Sequence, residues 1–353
     1  MAAPPEASGT ALVRTLVDAT GAVMSAVGRD DIERRLAAGQ FFWLDLPALD
    51  DEELGWMRDV FHFHPLAIED AEHFRQRPKL DEYDGYVVLV LYGSGAQTSA
   101  SAGSLDSAGA GCSPDELETV SEVHCFVSDK YLVTVHRDNC PAFGALADRM
   151  RIHSLVGDSP GHLFYRVADT LVDSFFPVLS DLDDLIDALQ ADVISRPTNA
   201  QLAQLLKYKS SLITLRRVIA PQRDLFASLA SGITALPGYD EEAQRYFRDV
   251  YDHLIRLSDL VDSYRDLLSG TTDAYLSVVS NQLNLVMKQL TIIATIFLPL
   301  SFLTGFFGQN FGWMVNRIGS LAVFLGLGLG TEAIAVVLLL TMFRRRGWLA
   351  GQG

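Results

Sequence analysis

The sequence predicts an α+β domain followed by long helices and two C-terminal transmembrane helices, and three observations carry that expectation. Short β-rich runs, "FFWLDL" (Phe41 to Leu46), "YVVLVLY" (Tyr86 to Tyr92) and "KYLVTVH" (Lys130 to His136), are confined to the first part of the chain. After residue 160, apolar residues recur at three- and four-residue steps, the spacing of one helix face. Two stretches near the C-terminus, Leu290 to Phe307 and Ile318 to Phe343, hold a single charged residue, Glu332. With 353 residues, 49% of them hydrophobic, the chain has room for two or three domains including membrane segments.

Residues 1–10, "MAAPPEASGT", lack a basic region followed by an apolar run, so a disordered N-terminus without a cleavable signal peptide is expected. Residues 11–160 are assigned to an α/β cytoplasmic domain. Between its strands, Gly93 to Gly111 is rich in Gly, Ser and Ala, the composition of a flexible loop. No GK[ST] follows its glycines, which argues against a phosphate cradle. His62 and His64 in "FHFHP" are expected on one face of a strand, as ordinary histidines. Cys112, Cys125 and Cys140 are odd in number and widely spaced. They suit neither a disulfide framework nor a zinc ribbon, and read as reduced thiols.

Residues 161–289 form a helical stalk region. The run ending in "ISRP" is expected to be one helix, stopped by Pro197, and the next helix to be capped by Thr198 or Asn199. A third periodic run starts near Asp240 and meets no proline before Pro299, so one helix is expected to continue into the first membrane span. In "SDLDDLIDALQAD", Asp181, Asp183, Asp184 and Asp187 read as a solvated acidic face.

The first span, residues 290–307, is 18 residues without charge, roughly 27 Å of helix and close to the hydrocarbon thickness. An external loop at 308–317 and a second span at 318–343 follow, and the basic tail 344–353 opens with Arg344, Arg345 and Arg346. Arginines directly after the span place the C-terminus in the cytoplasm, and two spans return the N-terminal part to the same side of the cell membrane. Stepping by three and four residues along the first span gives Asn284, Met287, Leu290 or Thr291, Ala294, Leu298, Ser301 and Gly305. This seam of small or unbranched side chains suits either a central pore axis or close helix packing. Gly326 and Gly330 make a GxxxG pair expected to pack closely. Glu332 is an acid inside a span, where it should face protein or be neutral; it is either a proton carrier or a side chain bonded to a neighbouring helix.

The net charge of −16 excludes nucleic-acid binding, which needs clustered Lys and Arg, and an acidic body concentrates cations instead. No GxxxxGK[ST], HExxH or GxSxG is present, so no enzyme class is supported and no catalytic residue is assigned.

The segment "SNQLNLVMKQLTIIATIFLPLSFLTGFFGQNFGWM", with "HPLAIEDAEHFRQRPKLDEYDGYVVLVL", "RRVIAPQRDLFASL", "YFRDVYDHLIRLSDLVDSYRDLLSG" and "RRRGWL", resembles the CorA-type divalent metal ion transporters of magnesium and cobalt. The resemblance covers nearly the whole chain after residue 10. It implies a funnel-shaped homopentamer in which the upper end of the stalk helix lines the pore. It also implies a selectivity filter at Gly308, Gln309 and Asn310, the family's Gly-Met-Asn with Gln309 in place of methionine. Variant middle residues occur in related branches, among them the zinc-transporting ZntB type. The acidic residue that often follows the tripeptide is missing from "FGWMVNRIGS".

By the same resemblance Asp273 and Asp249 are candidate regulatory metal ligands. The usual partner carboxylate of Asp273 has no counterpart after Tyr86 to Tyr92, which leaves Asp106, Asp115 or Glu116 as substitutes, or none. Magnesium is then both transported and regulatory ion, with membrane lipid and further copies of the chain as partners and no organic cofactor. A neutral oxygen collar suits magnesium, which dehydrates reluctantly and keeps its waters. No His follows His253 and no Cys follows Cys140, so the spans lack the ligands zinc favours. The alternatives are a proton-coupled zinc transporter of the ZntB kind, or a non-conducting membrane-anchored sensor.

Overall fold

The structure, a computed structural model, describes residues 14–95, 120–146, 160–238, 241–309 and 319–348 apart from 19, 26, 138–139 and 145, together with residues 312 and 316. It divides into two compact units, Met1–Thr272 and Asp273–Gly353.

The first unit is built on a seven-stranded sheet. Its strands are β1 (Thr15–Asp18), β2 (Val23–Ser25), β3 (Phe42–Pro47), β4 (Lys79–Tyr83), β5 (Tyr86–Ser94), β6 (Val120–Val127) and β7 (Tyr131–His136), in the order β2-β1-β3-β7-β6-β5-β4. Only β3 and β7 pair parallel, with Phe42 opposite Tyr131 and Leu46 opposite Val135. The three runs expected as strands are strands. β6 was not expected, because Ser121, Glu122 and His124 interrupt its apolar pattern although all three are buried.

One face of the sheet is covered by α1 (Arg29–Ala37), α2 (Asp51–Asp59) and α3 (Pro65–Glu72). Phe42, Leu44, Trp56, Met57, Ile68 and Phe126 form its core. His62 and His64 do not lie on a strand. His62 has φ +55°, and His64 caps α3 through Nδ1, which accepts from the Leu66 N–H at 3.2 Å. The proline at the first helical position explains why the chain starts a helix there.

The other face carries α4 (Pro160–Asp173). Strand alternation puts Gly93 opposite to Tyr86 and Val88, and a Cβ at Gly93 would fall 2.8 Å from Leu171 Cδ2. The strand thus runs through Gly93 and Ser94, which the sequence reading placed in a loop; residues 96–119 lie outside the described residues. Ser94 N–H donates to Ser174 Oγ at 2.7 Å. That contact sits at the break between α4 and α5 (Phe175–Ser195), so the segment expected as one helix is two.

The link to α6 (Asn199–Ala230) is a capping box. Thr198 Oγ1 accepts from Gln201 N–H and the Gln201 side chain accepts from Thr198 N–H, which settles the cap on Thr198. The last long helix, α7 (Glu241–Phe307), has 67 residues and contributes to both units. It is followed by α8 (Leu321–Val323), a π-helical stretch Phe324–Leu329, and α9 (Gly330–Arg345). Among the described residues two helices, Glu242–Phe307 and Leu321–Arg345, are long and apolar enough to cross a membrane. Among the described residues nothing stands within 4 Å of a Cβ placed on Gly326, so the close packing expected of that glycine is not made by them.

Glu122, a buried acid of the sheet, is met by donors from β5, β6 and the loop before β4. Glu122 accepts from the Arg75 and Gln76 N–H groups at 2.5 and 3.0 Å, and lies 2.9 Å from Tyr92 Oη and 3.0 Å from His124 Nε2. Burial pushes its carboxyl up, but these donors outweigh it and hold Glu122 below the usual carboxylate value. The arrangement also fixes Arg75 at φ +92°, a conformation rare for residues with a side chain. Cys125 and Cys140 are free, and burial pushes the Cys140 thiol up to about 12. Cys112 lies outside the described residues.

Candidate functional site

Helices α4 and α7 lie side by side because small and aromatic residues face each other along them. A Cβ on Gly161 would touch Ala243 Cβ at 3.5 Å, and the rings of Phe164 and Phe247 lie 5.6 Å apart, those of Tyr165 and Tyr246 4.9 Å. One to two turns further on, each helix presents two polar side chains four residues apart: Asp169 and Asp173 on α4, Asp249 and His253 on α7.

Ligand atoms of Asp169, Asp173 and His253 all lie within 4.8 Å of one another. His253 Nδ1 is 3.0 Å from Asp173 Oδ1 and 3.6 Å from Asp169 Oδ1. Asp249 takes the Tyr165 hydroxyl hydrogen at 3.0 Å. Burial, then the charge of Asp173, push the Asp169 carboxyl up to about 6; His253 works against them and Asp249 with them. Asp169 Oδ1 and His253 Nδ1 are shut off from solvent without an aligned hydrogen bond. Two carboxylates and an imidazole with unused acceptor capacity are the donors a divalent cation takes, so the residues present fit a metal.

Sequence reasoning had Asp249 but missed Asp169, Asp173 and His253. The signal was two i,i+4 pairs, which point to one place only once α4 and α7 are known to be neighbours. Asp273 lies apart, exposed on α7 in the second unit. Of the substitutes for its partner carboxylate, Asp106, Asp115 and Glu116 all lie outside the described residues.

In the second unit, Asn284, Met287, Leu290, Ala294, Leu298, Ser301 and Gly305 are all exposed. The half-buried residues of the same helix are Ile292, Thr295, Ile296, Pro299, Leu300, Leu303 and Phe307. At about 100° per residue the two sets lie on opposite sides of α7. On α9 the covered set, Glu332, Ala335, Val336, Leu339 and Phe343, has the same spacing. The helices are joined by a hydrogen bond of 2.8 Å between Thr304 Oγ1 and Glu332 Oε1.

The α-helix ends at Phe307. Gly308 N–H still reaches Thr304 O at 2.9 Å and Gln309 N–H reaches Phe306 O at 3.3 Å. A Cβ at Gly308 would fall 3.1 Å from Thr304 O, so a glycine suits this turn. Both Gly308 and Gln309 are exposed, and Asn310 lies outside the described residues.

The family model of CorA-like Mg2+ transporter proteins matches residues 38–345. The chain belongs to that family. It is 34% identical over 301 residues to the cobalt/magnesium transport protein CorA of Thermotoga maritima, covering 82% of this chain and 78% of the relative. The zinc transport protein ZntB of Yersinia pseudotuberculosis is 28% identical over 292 residues, covering 82% of each. Among solved structures, the complete CorA magnesium transporter of Methanocaldococcus jannaschii superposes with a TM-score of 0.78 at 18% identity, covering 96% of this chain and 99% of that one. The α+β domain with long helices and C-terminal apolar helices is thus the fold of that transporter.

Proposed function

We propose that this CorA-family protein is a membrane channel or transporter that takes up divalent cations, magnesium first, and that internal magnesium regulates it. One observation carries the reading: the seam from Asn284 to Gly305 on α7 forms an exposed stripe on the side opposite to the one covered towards α9. In a homopentamer with N- and C-termini in the cytoplasm, five such stripes would enclose a path from Asn284 to Gly305. Met287 and Leu290 would close it by dewetting, and Gly308, Gln309 and Asn310 would form an oxygen collar for a hydrated ion. A potential of 100 mV supplies roughly 4.6 kcal/mol for a divalent ion, enough for uptake without ATP. On the cytoplasmic side, Asp249 with Asp169, Asp173 and His253 is the first regulatory site we assign, and exposed Asp273 a second.

Uptake into proteoliposomes, comparing magnesium, cobalt, nickel and zinc with and without a proton gradient, tests this reading. Magnesium flux independent of the proton gradient is expected, and Asn310→Ala should abolish it while leaving insertion and assembly intact. Wild-type flux in that variant would sink the collar. The similarity to ZntB keeps a second reading open: zinc flux following the proton gradient would establish it, and no flux of any ion would leave a membrane-anchored sensor.

A further inference from the structure

Thr304 and Glu332 pose a problem of hydrogen counting. Thr304 Oγ1 stands 2.9 Å from Leu300 O and 2.8 Å from Glu332 Oε1. A threonine hydroxyl has one hydrogen and two lone pairs, and a backbone carbonyl only accepts. Both contacts are full two-centre hydrogen bonds together only if Thr304 donates to Leu300 O while the Glu332 carboxyl carries a hydrogen of its own and donates it to Thr304 Oγ1. An ionised Glu332 would leave two acceptors competing for one hydrogen.

The surroundings favour the first arrangement. From Leu290 to Gln309 on the facing segment, and from Ile318 to Phe343 on its own, no other residue is charged or titrates near neutrality. No cation of these segments is available to pair with a carboxylate, and an unpaired charge within a span is costly.

The bond also sits where it can matter for transport. Thr304 O accepts from Gly308 N–H at 2.9 Å, so the turn that ends α7 is built on the residue that Glu332 holds. We propose that protonated Glu332 is a positioning residue: by donating to Thr304 it ties α9 to α7 one turn before the helix end and fixes the orientation of the Gly308–Gln309 turn. The inference rests on the transport reading above and adds a residue to it.

The test uses the full chain in liposomes and two independent readouts. Infrared difference spectra of wild type against Glu332→Gln at neutral pH should contain a carboxylic-acid C=O band, which moves to higher frequency in Thr304→Val as the hydrogen bond is lost. For magnesium flux, Glu332→Ala and Thr304→Val should each lower the rate about threefold to tenfold, the effect of losing one intramembrane hydrogen bond. The double variant should be no slower than the slower single. Glu332→Gln keeps a donor and should rescue the rate relative to Glu332→Ala. Absence of the acid band overturns the proposal, as does a Glu332→Gln protein as slow as Glu332→Ala. If the wild type carries no ion, the transport reading fails while the infrared band still decides whether Glu332 holds its proton.

Discussion

Two largely buried carboxylates in the first unit have opposite surroundings. Glu122 on β6 is met by donors from two backbone N–H groups, a phenol and an imidazole, and is held below the ordinary carboxylate value. Asp169 on α4 is met by Asp173 and Asp249, has an oxygen without an aligned donor, and is pushed up to about 6 because His253 and Arg166 do not offset burial and the acidic neighbours. Burial costs both. Only at Glu122 do the protein's own groups outweigh the cost; at Asp169 His253 and Arg166 fall short, and the rest has to come from a proton or a cation. A buried acid that is fully answered is structural, and one left short of positive charge marks a place for a ligand.

The largest expected effect tests the first half of this contrast. Glu122→Ala would leave the Arg75 and Gln76 N–H groups and His124 without their acceptor, and should lower the unfolding free energy by about 3 to 5 kcal/mol. Added magnesium should not restore it. A denaturation midpoint close to wild type would show that Glu122 is not the organising group of this network.

Asp169→Asn tests the second half. In wild type, magnesium at a hundredfold excess over its Kd should stabilise the fold by about 2.7 kcal/mol. In the variant this rise should vanish, while stability without added cation stays level or improves because one member of an acidic group has been neutralised. An unchanged magnesium response would move the ion away from α4 and α7.

The smallest effect is the slope against pH, and here the two acids should differ in sign. Between the ordinary aspartate value of 3.8 and about 6, folded Asp169 keeps a proton that the unfolded chain has released, so rising pH weakens the cation-free fold across that window. Glu122 contributes fully above the ordinary glutamate value, and its contribution is lost as pH falls through its lower folded value. A cation competes with the proton on Asp169, so the magnesium-induced shift in Tm should grow as pH rises through about 6. A shift of constant size between about pH 5 and about pH 7 would separate Asp169 from the cation.

The same contrast explains what could be read from the sequence. Strands β3, β5 and β7 and the uninterrupted run into α7 were legible because their buried faces are apolar at the right period. β6 was not, because the donors that make Glu122 tolerable inside the sheet come from the loop at Arg75 and from Tyr92, far off in sequence, and His124 in turn meets Glu122. The seam from Asn284 to Gly305 was legible as a helical face, since it depends on one helix alone. The group of Asp169, Asp173 and His253 was not, since each helix by itself shows only a pair of polar residues four apart. The break at Ser174 was legible in Pro177, which has no N–H for the Asp173 carbonyl; what the sequence alone could not show is that the Ser94 N–H meets Ser174 there.

That contact with Ser94 has a consequence for any ion bound at Asp173. Ser174, the next residue, takes the Ser94 N–H, and Leu171 lies against the bare backbone of Gly93, so the end of α4 is bolted to β5, the strand next to the β4 edge of the sheet. The backbone that carries two of the ligands is therefore set when the domain folds, before any cation arrives. The entropic penalty of assembling the coordination sphere falls on side-chain rotamers and on water, and ligands held on a fixed backbone favour tighter binding than ligands on mobile segments could reach.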